Sequence, residues 1–191
     1  MKVITLIMWG LINKFRSVNR ERYGLTPLTK AIIQGDLDTV KSCVNAGANV
    51  NKKNKNGKPP LLFAINSWNI NIIKFLLECG ANPNFRDKKR CLLTPLSSAI
   101  IYAKHHTSID VVLLLMDHAD INLKGFKGRT PLVTAIIAKN SVIVKELLRR
   151  GAKTYIVYDG KSLIDLAEYH SAYTIADMLR YKNNHSSFSP R

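Results

Sequence analysis

The stretch "GLTPLTKAI", beginning at Gly24, returns as "GKPPLLFAI" from Gly57, and "NAGANVN" ending at Asn51 returns as "ECGANPN" ending at Asn84. Both landmarks step by 33 residues. A fixed period of this length constrains the fold more than any local pattern, because each copy is then one supersecondary unit that buries its apolar face only against its neighbours. A third copy carries "LTPLSSAI" at residues 93–100 and "DHADIN" at 117–122 on a longer spacing, with 35 residues from Pro60 to Pro95 and 38 from Gly80 to His118. The extra residues fall near "DKKRCLL" and "YAKHHTS". A fourth copy, "GRTPLVTAI" to "RRGAKT", restores 33 residues from His118 to Gly151, and a fifth begins at "DGKSLIDLAE" and fades through "IADMLRY".

This spacing predicts repeats at about 21–53, 54–86, 87–124 and 125–157, closed by a C-terminal cap at 158–181 and a polar tail at 182–191. Ahead of them, Ile4, Ile7, Met8, Leu11, Ile12 and Phe15 recur at helical spacing, so residues 1–20 read as a half repeat that caps the N-terminal end.

Each copy has the chemistry of two short helices. In "TPLTKAIIQG", Thr26 suits an N-cap and Pro27 the first helical position, where no N–H is missed. Leu28, Ala31 and Ile32 share a face, and Gly35 ends the helix. "LDTVKSCVNAG" then turns Leu37, Val40, Cys43 and Val44 inward and stops at Gly47, a residue suited to the left-handed position that closes a helix. "ANVNKKNKNG" supplies the Asn and Gly of a reversing turn. Neither helix is long enough to be stable alone, so stacking must make the core.

A turn plus two helices over 33 residues, with Thr-Pro-Leu opening the first helix and Gly-Ala closing the second, resembles the ankyrin repeat. The resemblance implies an all-α solenoid of stacked helix-turn-helix repeats with β-hairpin or turn fingers. The sequence departs from that pattern where the family usually has His after Thr-Pro-Leu, linking neighbouring loops; here stand Thr29, Leu62, Ser97 and Val133. Thr29 and Ser97 partly replace the lost polar group, whereas Leu62 and Val133 cannot. Trp68 takes the mid-repeat glycine position of the second copy, and His118 is aligned with the closing glycine of the third, which predicts a strained backbone there.

Lys and Arg number 29 against 13 Asp and Glu, a net charge of +16, so the surface attracts acidic protein, nucleic acid or anionic lipid. Cys43, Cys79 and Cys91 are odd in number and lack CxxC spacing, which argues against a disulfide framework or zinc site and for a reducing, cytoplasmic setting. No nucleophile-base pattern, phosphate loop or metal-ligand set is present, so neither catalysis nor a cofactor is expected. His105 and His106 read as solvated loop residues. The apolar run at residues 3–12 is about half the ~20 residues a spanning helix needs, and no signal-peptide cleavage site follows it.

By family resemblance, ankyrin-like proteins bind protein partners through the finger tips and the first-helix face. Carried onto this chain, that mapping places Arg22 and Tyr23 at the first tip, Lys55 and Lys58 at the second, and Lys88, Lys89 and Arg90 at the third. Phe126, Lys127 and Arg129 fall at the fourth, and Tyr158 and Lys161 at the fifth. Trp68 and Tyr102 come from the ends of first helices. Asn51, Asn84 and Asn122 occupy a turn position that is hydroxylated in some members of the family, and whose structural role is to stabilise the turn.

A cation that recurs at one repeat position becomes a stripe, and aromatics among cations anchor partners well. The leading expectation is a monomeric, non-catalytic binding module for an acidic protein partner. Nucleic-acid binding by the basic surface is a second reading, although no recognised nucleic-acid motif accompanies the charge. Membrane-surface attachment through residues 3–12 is a third. Lys, Asn and Ile exceed a quarter of the chain, a composition shared with host-directed ankyrin-like proteins of intracellular bacteria and large DNA viruses, which places the host cytoplasm among the expected locations.

Overall fold

The structure, a computed structural model, describes residues 25–86 and 93–186. The half repeat at 1–20, Arg22, Tyr23, Lys88, Lys89, Arg90 and the insertion near Cys91 lie outside the described residues. The chain divides into two compact units, Met1–Asn82 and Pro83–Arg191.

The first unit contains α1 (Pro27–Gln34), α2 (Leu37–Asn45), α3 (Pro60–Asn66) and α4 (Ile70–Glu78). Thr26 caps α1 by accepting the Thr29 N–H at 3.2 Å, and Asp36 caps α2 through the Thr39 N–H at 3.0 Å. At α3 the cap position is Pro59, which has no side-chain acceptor, while Asn69 restores the device at α4. First helix packs on first helix and second on second, with Leu28, Ile32, Leu61, Ile65, Ile72, Ile73 and Leu76 essentially inaccessible. Full burial of such side chains stabilises by roughly 1.5–3 kcal/mol each, which replaces the stability that helices this short lack.

The second unit contains α5 (Pro95–Tyr102), α6 (Asp110–His118), α7 (Pro131–Ile137), α8 (Ser141–Arg149), a hairpin of β1 (Val157–Tyr158) and β2 (Lys161–Ser162), then α9 (Leu163–Tyr169) and α10 (Tyr173–Ser186). Its core follows the same stacking, from Leu96, Ile100, Leu132, Ile136 and Leu166 on the first helices to Val112, Leu115, Val144, Leu147 and Leu179 on the second. The insertion at "YAKHHTS" begins as a single 3-10 turn, Ala103–His105. A reciprocal capping box between Ser162 and Asp165 starts α9 where the proline is missing. The last helix runs to Ser186, beyond the start of the polar segment at residue 182.

Side chains link repeats where the usual histidine is absent. In the first unit, Asn51 Oδ1 accepts the Asn82 N–H at 2.8 Å and Asn51 Nδ2 donates to the Gly80 carbonyl at 2.8 Å. In the second, Asn84 Oδ1 accepts from Asp120 N at 2.7 Å and Asn122 Oδ1 from Lys153 N at 2.8 Å. Each asparagine therefore stabilises the closing turn of the following repeat rather than only its own. Thr29 and Ser97 bond within their own caps, to Thr26 at 2.9 Å and Thr94 at 3.0 Å. Leu62 and Val133 are simply buried.

The left-handed positions follow the repeat. Gly35 (φ 74°) is followed at the equivalent places by Trp68 (φ 52°), Lys139 (φ 54°) and Ser171 (φ 56°). The sequence expectation for His118 needs correction, because its backbone is helical and not left-handed. In α4 the buried residues are Ile72, Ile73, Leu76 and Leu77; in α6 they are Val111, Val112, Leu115 and Met116, a step of 39. Asn84 to Asn122 is only 38. One residue is thus lost between helix and turn, and the bonding shows which: the Ala81 N–H reaches back five residues to Leu76, whereas the Ala119 N–H reaches back four to Leu115. The closing glycine has been deleted, and His118 is the last helical residue, its Nδ1–H donating to Leu114 O at 2.9 Å.

Candidate functional site

The fingers are built by turn chemistry. In the first unit, Asn54 Oδ1 accepts the N–H groups of Asn56 and Lys58, each at 2.9 Å, which fixes the tip that carries Lys55. Lys55 is exposed and Lys58 half-buried; Trp68 is half-buried at the end of α3. In the second unit, Gly125 N–H donates to Arg129 O at 2.8 Å and encloses the 3-10 turn Phe126–Gly128. Lys127 sits there at φ 55°, with its Nζ 5.6 Å from the centre of the Phe126 ring. The fifth finger is the β1–β2 hairpin. Asp159 and Gly160, at φ 54° and 72°, form the turn with two positive φ angles that suits a tight hairpin. Lys161 Nζ lies 4.8 Å from the Tyr169 ring centre, and Tyr169 meets His170 edge to face at 5.2 Å.

The sequence-predicted residues therefore fall into groups. Lys127 and Tyr158 line one cleft of about 340 Å³ between the fourth and fifth fingers, and Phe126 lies under Lys127. Lys161 belongs with Tyr169 on the neighbouring first helix. Arg129 is half-buried, with its Nε enclosed and without a partner among the described residues. Tyr102 is half-buried at the end of α5. Lys55, Lys58 and Trp68 belong to the other unit.

Six lining residues were not predicted, among them Lys124, Tyr155 and Val157, of which the last two are 74% and 75% exposed. One signal was available. Tyr155 stands where Asn51, Asn84 and Asn122 stand in earlier repeats, so the asparagine series ends there; its hydroxyl instead donates to Asn183 O at 3.3 Å.

The second helices differ in their electrostatics. Glu146 on α8 accepts bidentate bonds from Arg149 at 2.8 and 2.7 Å and a further bond from Arg150 at 2.6 Å. Arg150 also reaches Asp117 on α6 at 2.5 Å. These bonds, from Arg149 first and then Arg150, lower the Glu146 carboxyl to about 2. Arg180 on α10 likewise binds Asp177 and Glu168. Among the described residues Lys55, Lys124, Lys127 and Lys161 have no carboxylate partner, and the acids Asp117, Glu146, Glu168 and Asp177 are paired with arginines.

The sequence matches the family described as ankyrin repeats (3 copies) over residues 3–87 and 90–187. The chain belongs to the ankyrin-repeat family. An all-α repeat solenoid is this family's architecture, and ankyrin repeats are in general protein-interaction modules. Two plant proteins from Arabidopsis thaliana are also similar. The ADP-ribosylation factor GTPase-activating protein AGD4 is 45% identical over 53 residues, 28% of this chain and 7% of the relative. The ADP-ribosylation factor GTPase-activating protein AGD2 is 50% identical over 44 residues, 23% of this chain and 6% of the relative. The matched segments are thus a small fraction of either relative. No helix among the described residues of this ankyrin-repeat protein is long and apolar enough to cross a membrane.

Proposed function

We propose that this ankyrin-repeat protein is a non-catalytic binding module whose basic fingers hold an acidic segment of a protein partner. The observation that carries the proposal is the pairing of finger cations with aromatic rings, Lys127 with Phe126 and Lys161 with Tyr169, at two lysines that have no carboxylate partner among the described residues, whereas Asp117, Glu146, Glu168 and Asp177 are engaged by arginines. A cation without a carboxylate partner has no ion pair to break before it meets an anionic partner, and the rings add rigid contact area. The two buried or half-buried thiols, Cys43 and Cys79, suit a reducing cytoplasm, of the producing cell or of a host. Lys88, Lys89 and Arg90 stand at the corresponding repeat position in the sequence and lie outside the described residues. The GTPase-activating role named for the two plant relatives is not carried over, because the similarity spans so little of them.

Affinity capture with the full chain, set beside the same chain carrying Lys55→Glu, Lys127→Glu and Arg129→Glu, tests the reading. A protein partner held by the first and lost by the second is the expected result. Capture of the same partner by both, or recovery of duplex nucleic acid that resists elevated salt, contradicts it.

A further inference from the structure

We propose that the cleft between the fourth and fifth fingers is a strand-addition slot, in which an extended acidic segment pairs with the open edge of β1. The inference rests on the acidic-partner reading and specifies how that partner is held.

The geometry starts from the hairpin register. Tyr158 pairs with Lys161 across a two-residue turn, and Val157 with Ser162. The pair that flanks such a turn exchanges both backbone hydrogen bonds, so the next pair is the non-bonded type and its N–H and C=O groups point away from the partner strand. Val157 accordingly directs its N–H and C=O outward, and neither takes part in another backbone hydrogen bond among the described residues. The cleft lies on that outward side: its walls include residues 155–159 consecutively, and neither Lys161 nor Ser162 of β2. The facing wall carries Lys124 and Lys127, both exposed. Tyr155 sits in a tight turn, closed by the Ile156 N–H donating to Thr154 O at 3.0 Å, just before β1; Tyr155 and Val157 are both largely exposed and flank the half-buried Ile156.

An open backbone edge, an apolar pair and two cations fit one kind of occupant: an extended segment in which acidic and apolar residues alternate. Main-chain bonds to Val157 supply affinity, and alternate side chains meet the lysines and the exposed Tyr155 and Val157. Asp159 sits at the turn end of the cleft, so the acidic positions belong toward Lys124 and Lys127. An exposed edge also invites a second copy of the same chain. Here Lys124, Lys127 and the nearby Lys153 on a chain of charge +16 repel such a copy and favour an acidic strand.

The test uses the full chain and a short blocked peptide of alternating Glu and Val, with an alternating Lys and Val peptide as control. Amide hydrogen exchange is followed residue by residue. The slot requires that the Glu-Val peptide slow exchange at the Val157 amide by roughly tenfold or more at saturation. It also requires that the Lys124→Glu, Lys127→Glu double variant, shown to be folded by unchanged protection of α7 and α8, bind that peptide roughly tenfold more weakly. Absence of binding, binding without protection of Val157, equal binding by the double variant, or Val157 protection that rises with protein concentration in the absence of peptide each overturns the slot. If the slot fails while reversal of Lys55, Lys127 and Arg129 still abolishes partner capture, only the strand-addition geometry falls; if both fail, the finger reading falls with it.

Discussion

Asn51 holds the closing turn of the following repeat at two points, accepting the Asn82 N–H and donating to the Gly80 carbonyl, both at 2.8 Å. A single carboxamide thereby serves the role that a polar loop network plays when histidine is present. Loss of both bonds in Asn51→Ala is expected to cost about 1–3 kcal/mol, since each net hydrogen bond is worth roughly 0.5–1.5 kcal/mol. Asn51→Asp keeps the acceptor and gives up the donor, so it should fall between the two. Urea midpoints at constant slope measure this order.

Lys139 adopts φ 54° at an exposed position where the first repeat uses Gly35. Left-handed backbone costs a residue with a Cβ roughly 1–2 kcal/mol, which exceeds the added chain entropy of glycine. Lys139→Gly is therefore expected to stabilise the chain by about 0.5–1 kcal/mol, seen as a higher thermal midpoint. A lower midpoint would show that the strain is relieved elsewhere.

His118 gives the opposite expectation. It is helical and its imidazole bonds Leu114 O, so His118→Gly should destabilise by about 0.5–1 kcal/mol, the usual penalty of glycine in a helix. Stabilisation on that substitution would mean that a left-handed closing position exists at residue 118 after all.

Glu146 links stability to acid. Its carboxyl is lowered from 4.5 to about 2 by Arg149 and Arg150. A depressed carboxyl favours the folded state above its unfolded value, and that contribution disappears as pH falls from about 4.5 toward 2. Glu146→Gln should lower stability at neutral pH and flatten this part of the pH profile, the two proteins converging near the acid end. Parallel profiles would remove Glu146 from the acid transition.

Much of the fold was legible because the signals recur. Thr-Pro at 26–27, 94–95 and 130–131 starts helices as read, and Gly35, Gly47, Gly80 and Gly151 take the left-handed conformations that end them. Repetition also misled at His118, where alignment by the period treats a deletion as a substitution; only the burial register of α6 against α4 separates the two. The inter-repeat bonding of Asn51, Asn84 and Asn122 was out of reach for a related reason. A turn asparagine looks the same whether its acceptor serves its own turn or a backbone N–H about one repeat away.

The candidate site was legible in part. The repeat phase assigned Lys127, Tyr158 and Lys161 to finger tips; the first two line the cleft, and Lys161 lies against Tyr169 instead. Lys124, Tyr155 and Val157 were missed because their importance depends on which edge of a two-residue strand stays open, and that is set by hairpin register rather than by residue type. The break in the asparagine series at Tyr155 was the one available hint.

If the fingers, and not net charge alone, hold the acidic partner, two variants of equal charge should bind it differently. One carries Lys55→Glu, Lys127→Glu and Lys161→Glu on the fingers; the other carries Lys41→Glu, Lys74→Glu and Lys145→Glu on the exposed second-helix faces. Partner affinity measured at one fixed salt concentration should fall by roughly a hundredfold in the first and by only a few fold in the second. Equal losses in the two variants would contradict the claim and reduce the binding to unspecific attraction by a basic chain.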